Sequence, residues 1–387
     1  MKISATPHIE TYLRDHQEEM IDFLKKLVAK ESPSRQPECQ QEILKFLKDS
    51  LENMAFDASV FPGIKTGGFL YARPKARNKS LPVQLLIGHC DTVWSCDTLQ
   101  QMPIVDLNEK LSGPGVFDMK AGITQIIFAL KAIKELGLSC HLSPVIIINS
   151  DEEIGSFESS EIIKKIAKVA SRAFILEPPL GFEGKLKTAR KGIGKFTLNV
   201  TGKPAHAGLN PNEGISAIVE LSHQIQDLFK LNDFEKGITV NVGMIQGGSS
   251  ANVIAEESKA VVDVRVHNMV DAAYIQEEIF NLKPKHKGAT LHISGGFGRP
   301  PMERTSRNQK LWLLAQNIAQ NMDLHLEQAV AGGGSDGNTT SLYTATLDGL
   351  GTVGDGAHAR HEFIFKDKLI ERTALLTMLL LSEDIKE

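Results

Sequence analysis

Short apolar segments that alternate with helical patterns are the feature of this sequence that most restricts its fold. Pro144–Asn149 is rich in β-branched residues, and Val83–Ile87 and Ala173–Leu176 are similarly apolar. A helical pattern at about 121–136, which stops at Gly137, lies between two of these segments. Strands without polar alternation are buried on both faces, and intervening helices permit parallel connections. The sequence therefore predicts an α/β fold: a mostly parallel mixed sheet covered by helices on both faces.

The pattern changes near residue 190, where strands and helices follow the order β-α-β-β-α-β. This order is that of the ferredoxin-like unit. Because 387 residues exceed the usual size of one hydrophobic core, two domains are expected. We predict a catalytic domain of residues 1–189 plus 300–387, which begins with helices at 8–30 and 37–54. An inserted ferredoxin-like domain of residues 190–299 interrupts it.

Charge and hydropathy argue against two classes of partner. The formal net charge is −4, and no segment resembles the basic face that nucleic-acid binding requires. No apolar run has membrane-spanning length, and the N-terminal residues lack the apolar segment of a signal peptide. We therefore expect a cytoplasmic protein without nucleic-acid or membrane partners. Its cysteines, Cys39, Cys90, Cys96 and Cys140, are then expected to be reduced thiols, with Cys90 buried.

Ionisable residues follow the apolar strands. His89 and Asp91 come directly after one strand, and an acidic run that includes Glu152 and Glu153 follows another; Glu177 follows a third. Ligands bind at the carboxyl ends of strands in open α/β sheets. Three consecutive acids repel one another unless a cation lies nearby. The alternatives are polar surface loops or an acidic cap on the next helix.

Two glycine-rich segments add further donors. Gly113–Gly122 contains Asp118 and precedes a helix, and Gly354–Glu362 contains His358. The first segment fits neither the nucleotide P-loop nor the dinucleotide fingerprint, so we favour a cation site over a phosphate site. Nitrogen and oxygen donors at strand ends suit zinc, and five protein ligands for two metals leave positions open for water and substrate. The sequence therefore offers a donor set of two histidines, one aspartate and two glutamates, and leaves open which acid of the run is a ligand.

These motifs resemble those of a zinc metallopeptidase superfamily. It contains glutamate carboxypeptidase, acetylornithine deacetylase, succinyl-diaminopimelate desuccinylase and aminoacylase, and the bacterial glutamate carboxypeptidases are the most similar. The order and spacing match over nearly the whole chain. The matching segments are His89–Val93, Gly113–Gly122, Asp151–Phe157, Glu177–Pro178, Gly202–Gly208, Gly298–Pro300, Gly332–Asp336 and the Gly-Ala-His that ends at His358.

The resemblance implies a site with two Zn²⁺ ions per subunit, for which Co²⁺ or Mn²⁺ can substitute. Asp118 would bridge the two ions. His89 and Glu177 would complete the coordination of one ion, and Glu153 and His358 would complete that of the other.

It also implies roles for residues that are not ligands. Glu152 would be the general base, and Asp91 would orient the metal-bound imidazole. The Asp118–Met119 peptide is expected to be cis. His361 competes with His358 as the C-terminal ligand. We prefer His358 because its Gly-Ala-His context matches the family and Glu362 follows it at the expected distance.

In the resembling enzymes the inserted domain is a lid that also forms a homodimer. His206 would then reach the active site of the partner subunit and hydrogen-bond the developing oxyanion; a polar loop residue is the alternative. Arg299 is a candidate carboxylate clamp because a guanidinium binds carboxylate in a bidentate fork. For Arg265, a structural ion pair is the alternative. The predicted substrate-binding residues are Asn252, Arg265, Arg299, Gly333 and Gly334.

The resemblance implies hydrolysis of an amide bond in a small substrate that bears a carboxylate. Our first expectation is a glutamate carboxypeptidase-like metallopeptidase that releases a C-terminal amino acid from a small peptide. One alternative is a deacylase of N-acyl amino acids, similar to acetylornithine deacetylase. Another is a catalytically inactive metal-binding regulatory protein, against which the complete ligand set and Glu152 argue.

Overall fold

The computed structural model describes residues 6–385. Its helices are α1 Thr6–Asp15, α2 Gln17–Val28, α3 Pro37–Glu52, α4 Ala121–Glu135, α5 Ser160–Ala167, α6 Ala217–Phe229, α7 Met269–Phe280, α8 Ser306–Gln320, α9 Asp336–Thr340 and α10 Lys366–Leu381. Its strands are β1 Phe56–Phe61, β2 Phe69–Pro74, β3 Val83–His89, β4 Val105–Asp106, β5 Lys110–Ser112, β6 Ser143–Asn149, β7 Ala170–Ile175, β8 Leu186–Arg190, β9 Gly192–Thr201, β10 Thr239–Gly247, β11 Glu257–Val266, β12 Thr290–Arg299, β13 Gln328–Ala331, β14 Ala345–Leu347, β15 Gly354–Asp355 and β16 Phe363–Phe365.

The chain divides into two compact units, and the first contains residues 1–188, 304–330 and 335–387. Its main sheet has the strand order β1-β2-β6-β3-β7-β14. β6, β3, β7 and β14 are parallel to one another, whereas β1 and β2 pair antiparallel at one edge. The predicted α/β class with a mostly parallel mixed sheet is therefore confirmed.

The central strands are buried along their whole length because helices cover both faces of the sheet. Every residue of β3 and of β6 is buried. Leu86 and Ile146 belong to a large core that includes residues of α1–α4 and α10. Leu85 and Val145, their neighbours in sequence, belong to a second core that includes Ile163 of α5. Side chains alternate across a strand, so one apolar run supplies two cores.

The first helical pattern, predicted as one helix at 8–30, is two helices. The chain leaves helical geometry at His16, whose ψ is 14°. The ring Nδ1 of His16 lies 2.8 Å from the carbonyl oxygen of Tyr12, which also accepts the main-chain N–H of His16 at 3.1 Å. A side chain that shares a helix carbonyl disturbs the hydrogen-bond ladder at that point.

The second unit contains Ala189–Glu303 and Ala331–Gly334. It thus includes a short segment outside the predicted insertion at 190–299. Its sheet is antiparallel with the order β10-β11-β9-β12, and the chain order is β9-α6-β10-β11-α7-β12. This is the ferredoxin-like topology that the sequence predicts. α6 and α7 contribute residues to the apolar core of this unit, for example Leu221 and Ile275. The sheet contributes others, for example Phe196.

Among residues 6–385, no helix combines the length and the apolar character that a membrane crossing requires. The cytoplasmic location stays a prediction.

The expectation of four reduced thiols is wrong for one pair of cysteines. Cys90 is buried in the core, as predicted, and Cys140 is a free thiol. Cys39 and Cys96 form a disulfide that joins α3 to the loop after β3. The pairing has no local signal because 57 residues separate the two positions. It arises where the chain around Pro33 runs beside Thr92.

Replacing Cys39 by Ser should lower the free energy of unfolding in non-reducing buffer by about 2–4 kcal/mol, because the crosslink restricts the unfolded chain. After reduction the variant and the original protein should unfold alike in urea. Cys140→Ser is the control and should preserve the difference between the two buffers. Four titratable thiols in the unreduced, unfolded protein would contradict the pairing.

Candidate metal centre

The candidate metal centre lies at the carboxyl ends of three neighbouring strands. β3 ends at His89, β6 ends shortly before the turn that contains Glu152, and Glu177 follows β7 by two residues. The three strands are parallel, in the order β6-β3-β7. Their ends therefore meet at one edge of the sheet, which is where open α/β sheets bind ligands.

Asp118 lies between two imidazole rings. Its Oδ1 is 3.2 Å from Nε2 of His89, and its Oδ2 is 3.6 Å from Nε2 of His358. The residue comes from the glycine-rich segment before α4, and the Asp118–Met119 peptide is cis, as expected. A carboxylate with one oxygen toward each ring can bridge two cations.

Each imidazole has a second carboxylate beside it. Nε2 of His358 is 2.9 Å from Oε2 of Glu153, and Nε2 of His89 is 3.4 Å from Oε1 of Glu177. The donors therefore form two groups that share Asp118. Imidazole nitrogen and carboxylate oxygen are both donors that zinc accepts.

Glu152 lies beside the group that contains His89. One carboxylate oxygen of Glu152, one of Glu177 and a ring nitrogen of His89 all lie within 4.8 Å of one another. Glu152 begins a single 3-10 turn that ends at Ile154. From this position its carboxylate can reach a molecule held between the two donor groups.

Asp91 was predicted to orient the ring of His89, and in the structure it also positions the acidic turn. Nδ1 of His89 lies 3.0 Å from the main-chain oxygen of Asp91 and 3.4 Å from Oδ1. The same carboxylate accepts the main-chain N–H groups of Glu152 and Glu153, each at 3.2 Å. The hydroxyl of Ser34, which sequence reasoning missed, donates to Oδ2 at 2.7 Å. One buried carboxylate thus positions both the ring and the acidic turn.

Asp151, the first acid of the run, is held away from the donor groups. Its Oδ1 accepts the hydroxyl of Ser159 at 2.5 Å, and its carboxylate also accepts main-chain N–H groups at the start of α5. A second buried acid, Asp336, accepts from Ser156 at 2.5 Å and from Asn149 at 2.8 Å. These hydrogen bonds hold both ends of the turn that contains Glu152 and Glu153.

The centre contains more carboxylates than imidazoles. Burial raises the pKa of Glu153. The hydrogen bond that His358 donates to Glu153 raises the pKa of His358 to about 9. Burial lowers the pKa of His89, but hydrogen bonds to Asp118 and its acidic neighbours outweigh this effect and raise the pKa well above its usual value. Bound cations would stabilise such a cluster of buried acids. The two imidazoles face five carboxylates, those of Asp91, Asp118, Glu152, Glu153 and Glu177.

His358 is the C-terminal histidine that meets the acidic cluster. Its φ is +60°, in the left-handed region that non-glycine residues seldom adopt. Among the described residues, His361 makes no ion pair or side-chain hydrogen bond with the cluster. Strained backbone of this kind often occurs at functional sites, where surrounding contacts maintain it.

Two charged residues near Asp118 were not predicted. Burial would raise the pKa of Asp118, but the hydrogen bond from His89 and nearby positive charges, including buried Lys187, lower it. Glu362 is buried four residues after His358, and burial raises its pKa to about 7. Lys187 has no obvious local pattern, whereas Glu362 ends the glycine-rich segment Gly354–Glu362, and its spacing after His358 was noted without a role for its side chain.

In the second unit, the predicted residues His206 and Asn252 occupy adjacent segments. The main-chain N–H of Ala207 donates to the carbonyl oxygen of Asn252 at 2.9 Å. Nδ1 of His206 accepts the main-chain N–H groups of Gly208 and Leu209, each at 3.1 Å. A neutral imidazole has one acceptor and one donor nitrogen, so the ring proton is on Nε2. His206 is exposed and presents a hydrogen-bond donor.

The two predicted arginines differ in their environment. Arg265 forms a two-point ion pair with Asp263, at 2.8 Å and 3.0 Å, which favours the structural alternative for this residue. Arg299 is buried and packs so closely against Gly334 that a Cβ there would lie 2.9 Å from its Cδ.

A third arginine, Arg190, contacts the predicted glycine segment within the second unit. It donates to the main-chain oxygens of Gly333 and Gly334 at 3.1 Å and 3.3 Å.

Comparison with known proteins gives similarities in sequence and in structure. Residues 188–290 match a family model described as a peptidase dimerisation domain. Carboxypeptidase G2 of Pseudomonas sp. (strain RS-16) is 30% identical over 353 residues, which cover 89% of this chain and 84% of that relative.

Two crystal structures show the same fold at low identity. Aminopeptidase PepT from Bacillus cereus gives a TM-score of 0.78 at 20% identity and covers 94% of this chain and 98% of its own. The YXEP protein from Bacillus subtilis, described as a dinuclear metal-binding peptidase of the M20 family, gives 0.69 at 16% identity and covers 95% and 98%.

Replacing His358 by Ala should reduce bound zinc from about two ions per subunit toward one, because a donor to one ion is lost. His361→Ala is the matched control and should retain the metal. Zinc content after dialysis, measured by atomic emission, tests both variants. A larger loss in His361→Ala would reverse the choice between the two histidines.

Proposed function

The chain belongs to the M20 family of metallopeptidases, whose members hydrolyse peptide or amide bonds, and we propose on this premise a dizinc carboxypeptidase. Its substrate would be a small peptide with a free C-terminal carboxylate, from which it releases the terminal amino acid. The position of Asp118 between two imidazoles is the observation that carries the proposal. Similarity to Carboxypeptidase G2 over most of both chains supports the carboxypeptidase class.

The proposed ligands divide between two zinc ions. Asp118 would be shared by both ions, His89 and Glu177 would hold one of them, and Glu153 and His358 would hold the other. The short distances between these donors and the excess of carboxylates support this assignment. Bound zinc supplies Lewis acidity, which acidifies water and polarises a carbonyl group. Co²⁺ and Mn²⁺ accept the same donors and are expected to substitute.

Glu152 is the proposed general base. It takes a proton from the attacking water and then delivers it to the leaving nitrogen. Its distance from His89 and Glu177 supports this role. Asp91 holds the main-chain N–H of Glu152, so it positions the base as well as the imidazole.

The inserted domain would complete the site in a homodimer. His206 would enter the site of the partner subunit and donate a hydrogen bond from Nε2 to the developing oxyanion, with Asn252 beside it. The match of residues 188–290 to a peptidase dimerisation domain supports this arrangement. Edge strand β10 exposes Met244 and Ile245, and an apolar edge strand favours pairing with another chain.

Arg299 is the proposed clamp for the substrate carboxylate. Its burial lowers the cost of holding a guanidinium in one orientation for bidentate contact. Gly333 and Gly334, together with Arg265, would line the same subsite. Because Arg265 is held in its ion pair with Asp263, its role there would be structural, without direct contact to the substrate carboxylate.

Replacing Glu152 by Gln should lower kcat/KM by at least about 100-fold, because the variant cannot accept a proton. Zinc content should remain that of the original protein. Glu161→Gln, on the exposed surface of α5, is the matched control and should leave both quantities unchanged. Loss of one zinc ion in Glu152→Gln would make Glu152 a ligand instead of the base.

The substrate class is tested with the zinc-loaded dimer on a panel of dipeptides, including ones that end in glutamate, and N-acyl amino acids. We expect dipeptides with a free C-terminus to be cleaved at least about 10-fold faster than their C-terminal amides, since the amide lacks the charge that an arginine binds. Preference for N-acyl amino acids would instead indicate a deacylase. Absence of turnover across the panel would indicate a regulatory metal-binding protein.

A further inference from the structure

Glu362 makes an unusual number of hydrogen bonds for a side chain outside the predicted ligand set. It is 1% exposed and lies four residues after His358. Among the described residues, no lysine or arginine forms an ion pair with it. Its carboxylate instead accepts four hydrogen bonds, from the main-chain N–H groups of Gly115, Phe117 and Asp118 at 2.9, 2.9 and 3.0 Å and from Nε1 of Trp94 at 3.1 Å.

The three main-chain donors belong to the segment that supplies Asp118. This segment precedes α4, so its N–H groups lie outside the hydrogen-bond ladder of that helix. Buried N–H groups need acceptors, and the Glu362 carboxylate provides them. One of the three is the N–H of Asp118 itself, so the carboxylate fixes the backbone from which the Asp118 side chain projects.

The remaining contacts of Glu362 reach one further segment, the loop after β3, and the beginning of the Asp118 segment. Trp94 belongs to the loop after β3, the strand that ends in His89. The main-chain oxygen of Glu362 accepts the N–H of Gly113 at 3.3 Å, and the adjoining strands β16 and β5 pair antiparallel. One side chain therefore connects the segments that carry the first histidine, the shared aspartate and the second histidine.

We propose that Glu362 is a positioning residue that, through its four accepted hydrogen bonds, sets the relative positions of His89, Asp118 and His358 and thereby the affinity for the pair of metal ions. This inference rests on the proposed function only for the presence of the metals. It predicts that Glu362 acts through Asp118 and does not itself contact metal or substrate.

A carboxylate suits this position because it only accepts hydrogen bonds. A glutamine of nearly the same size would direct its NH₂ group at donors and leave some of them without an acceptor. Outer residues that orient metal ligands typically change metal affinity by about 10–100-fold when they are replaced.

The test compares Glu362→Gln and Trp94→Phe in the full-length protein. Glu220→Gln is the matched control, since Glu220 is a fully buried carboxylate in the second unit that accepts the main-chain N–H groups of Lys285 and His286. Zinc affinity is measured by competition with a chromogenic chelator, and thermal unfolding of the metal-free proteins is recorded in parallel. For the Glu362 and Trp94 variants, kcat and KM are then determined on the best substrate of the panel.

We expect Glu362→Gln to weaken binding of at least one zinc ion by about 10–100-fold and to lower kcat more than it changes KM. Trp94→Phe removes one of the four donors and should weaken zinc binding by a smaller factor. Glu220→Gln should lower the unfolding temperature but leave zinc affinity unchanged, because its carboxylate holds a loop of the other unit.

Zinc affinity in Glu362→Gln within about threefold of the original protein would overturn the proposal, even if its unfolding temperature falls. If that variant does not fold, unchanged zinc affinity in Trp94→Phe would overturn it. Reduced zinc affinity in both variants, in a protein that cleaves nothing in the panel, would support the positioning role while contradicting the proposed activity.

Discussion

The structure of the candidate centre depends on one constraint, the close approach of acidic side chains around Asp118. Buried carboxylates repel one another and lose their hydration, so such a cluster needs positive charge nearby. The two imidazoles provide part of it, one toward each oxygen of Asp118. The remaining imbalance explains why the donor set suits divalent cations.

The fold meets this constraint in two steps. Parallel strands bring His89, the acidic turn and Glu177 to one edge of the sheet. Buried carboxylates that are not in the predicted ligand set then hold the connecting segments in place. Asp91 accepts a hydrogen bond from the acidic turn, and Asp336 accepts one from the residue that follows this turn. Glu362 accepts one from the main chain of Asp118. Each accepts several hydrogen bonds, which offsets the cost of burying its charge.

Most of the fold could be predicted from sequence because its strands have strong local patterns. β3 and β6 coincide with the predicted segments to within a few residues, and the second unit has the predicted order of strands and helices. β1, β8, β13 and β14 were missed, since they are short or lie at sheet edges and lack a continuous apolar run. The Cys39–Cys96 disulfide was missed because it depends on two distant segments lying side by side.

The sequence by itself determined the α/β class, the ferredoxin-like unit and the residue types available for a metal centre, because periodicity and strand-end chemistry are local properties. Only the tertiary structure decided which acids share a site. Asp151 and its neighbour Glu152 are adjacent in sequence, yet one accepts hydrogen bonds from the residues just before α5 and the other lies beside His89. Likewise the sequence gives the spacing of Glu362 after His358 but not its contacts, since its four donors come from segments about 245–270 residues away along the chain. Hydrogen bonds between distant segments form only when packing brings those segments together.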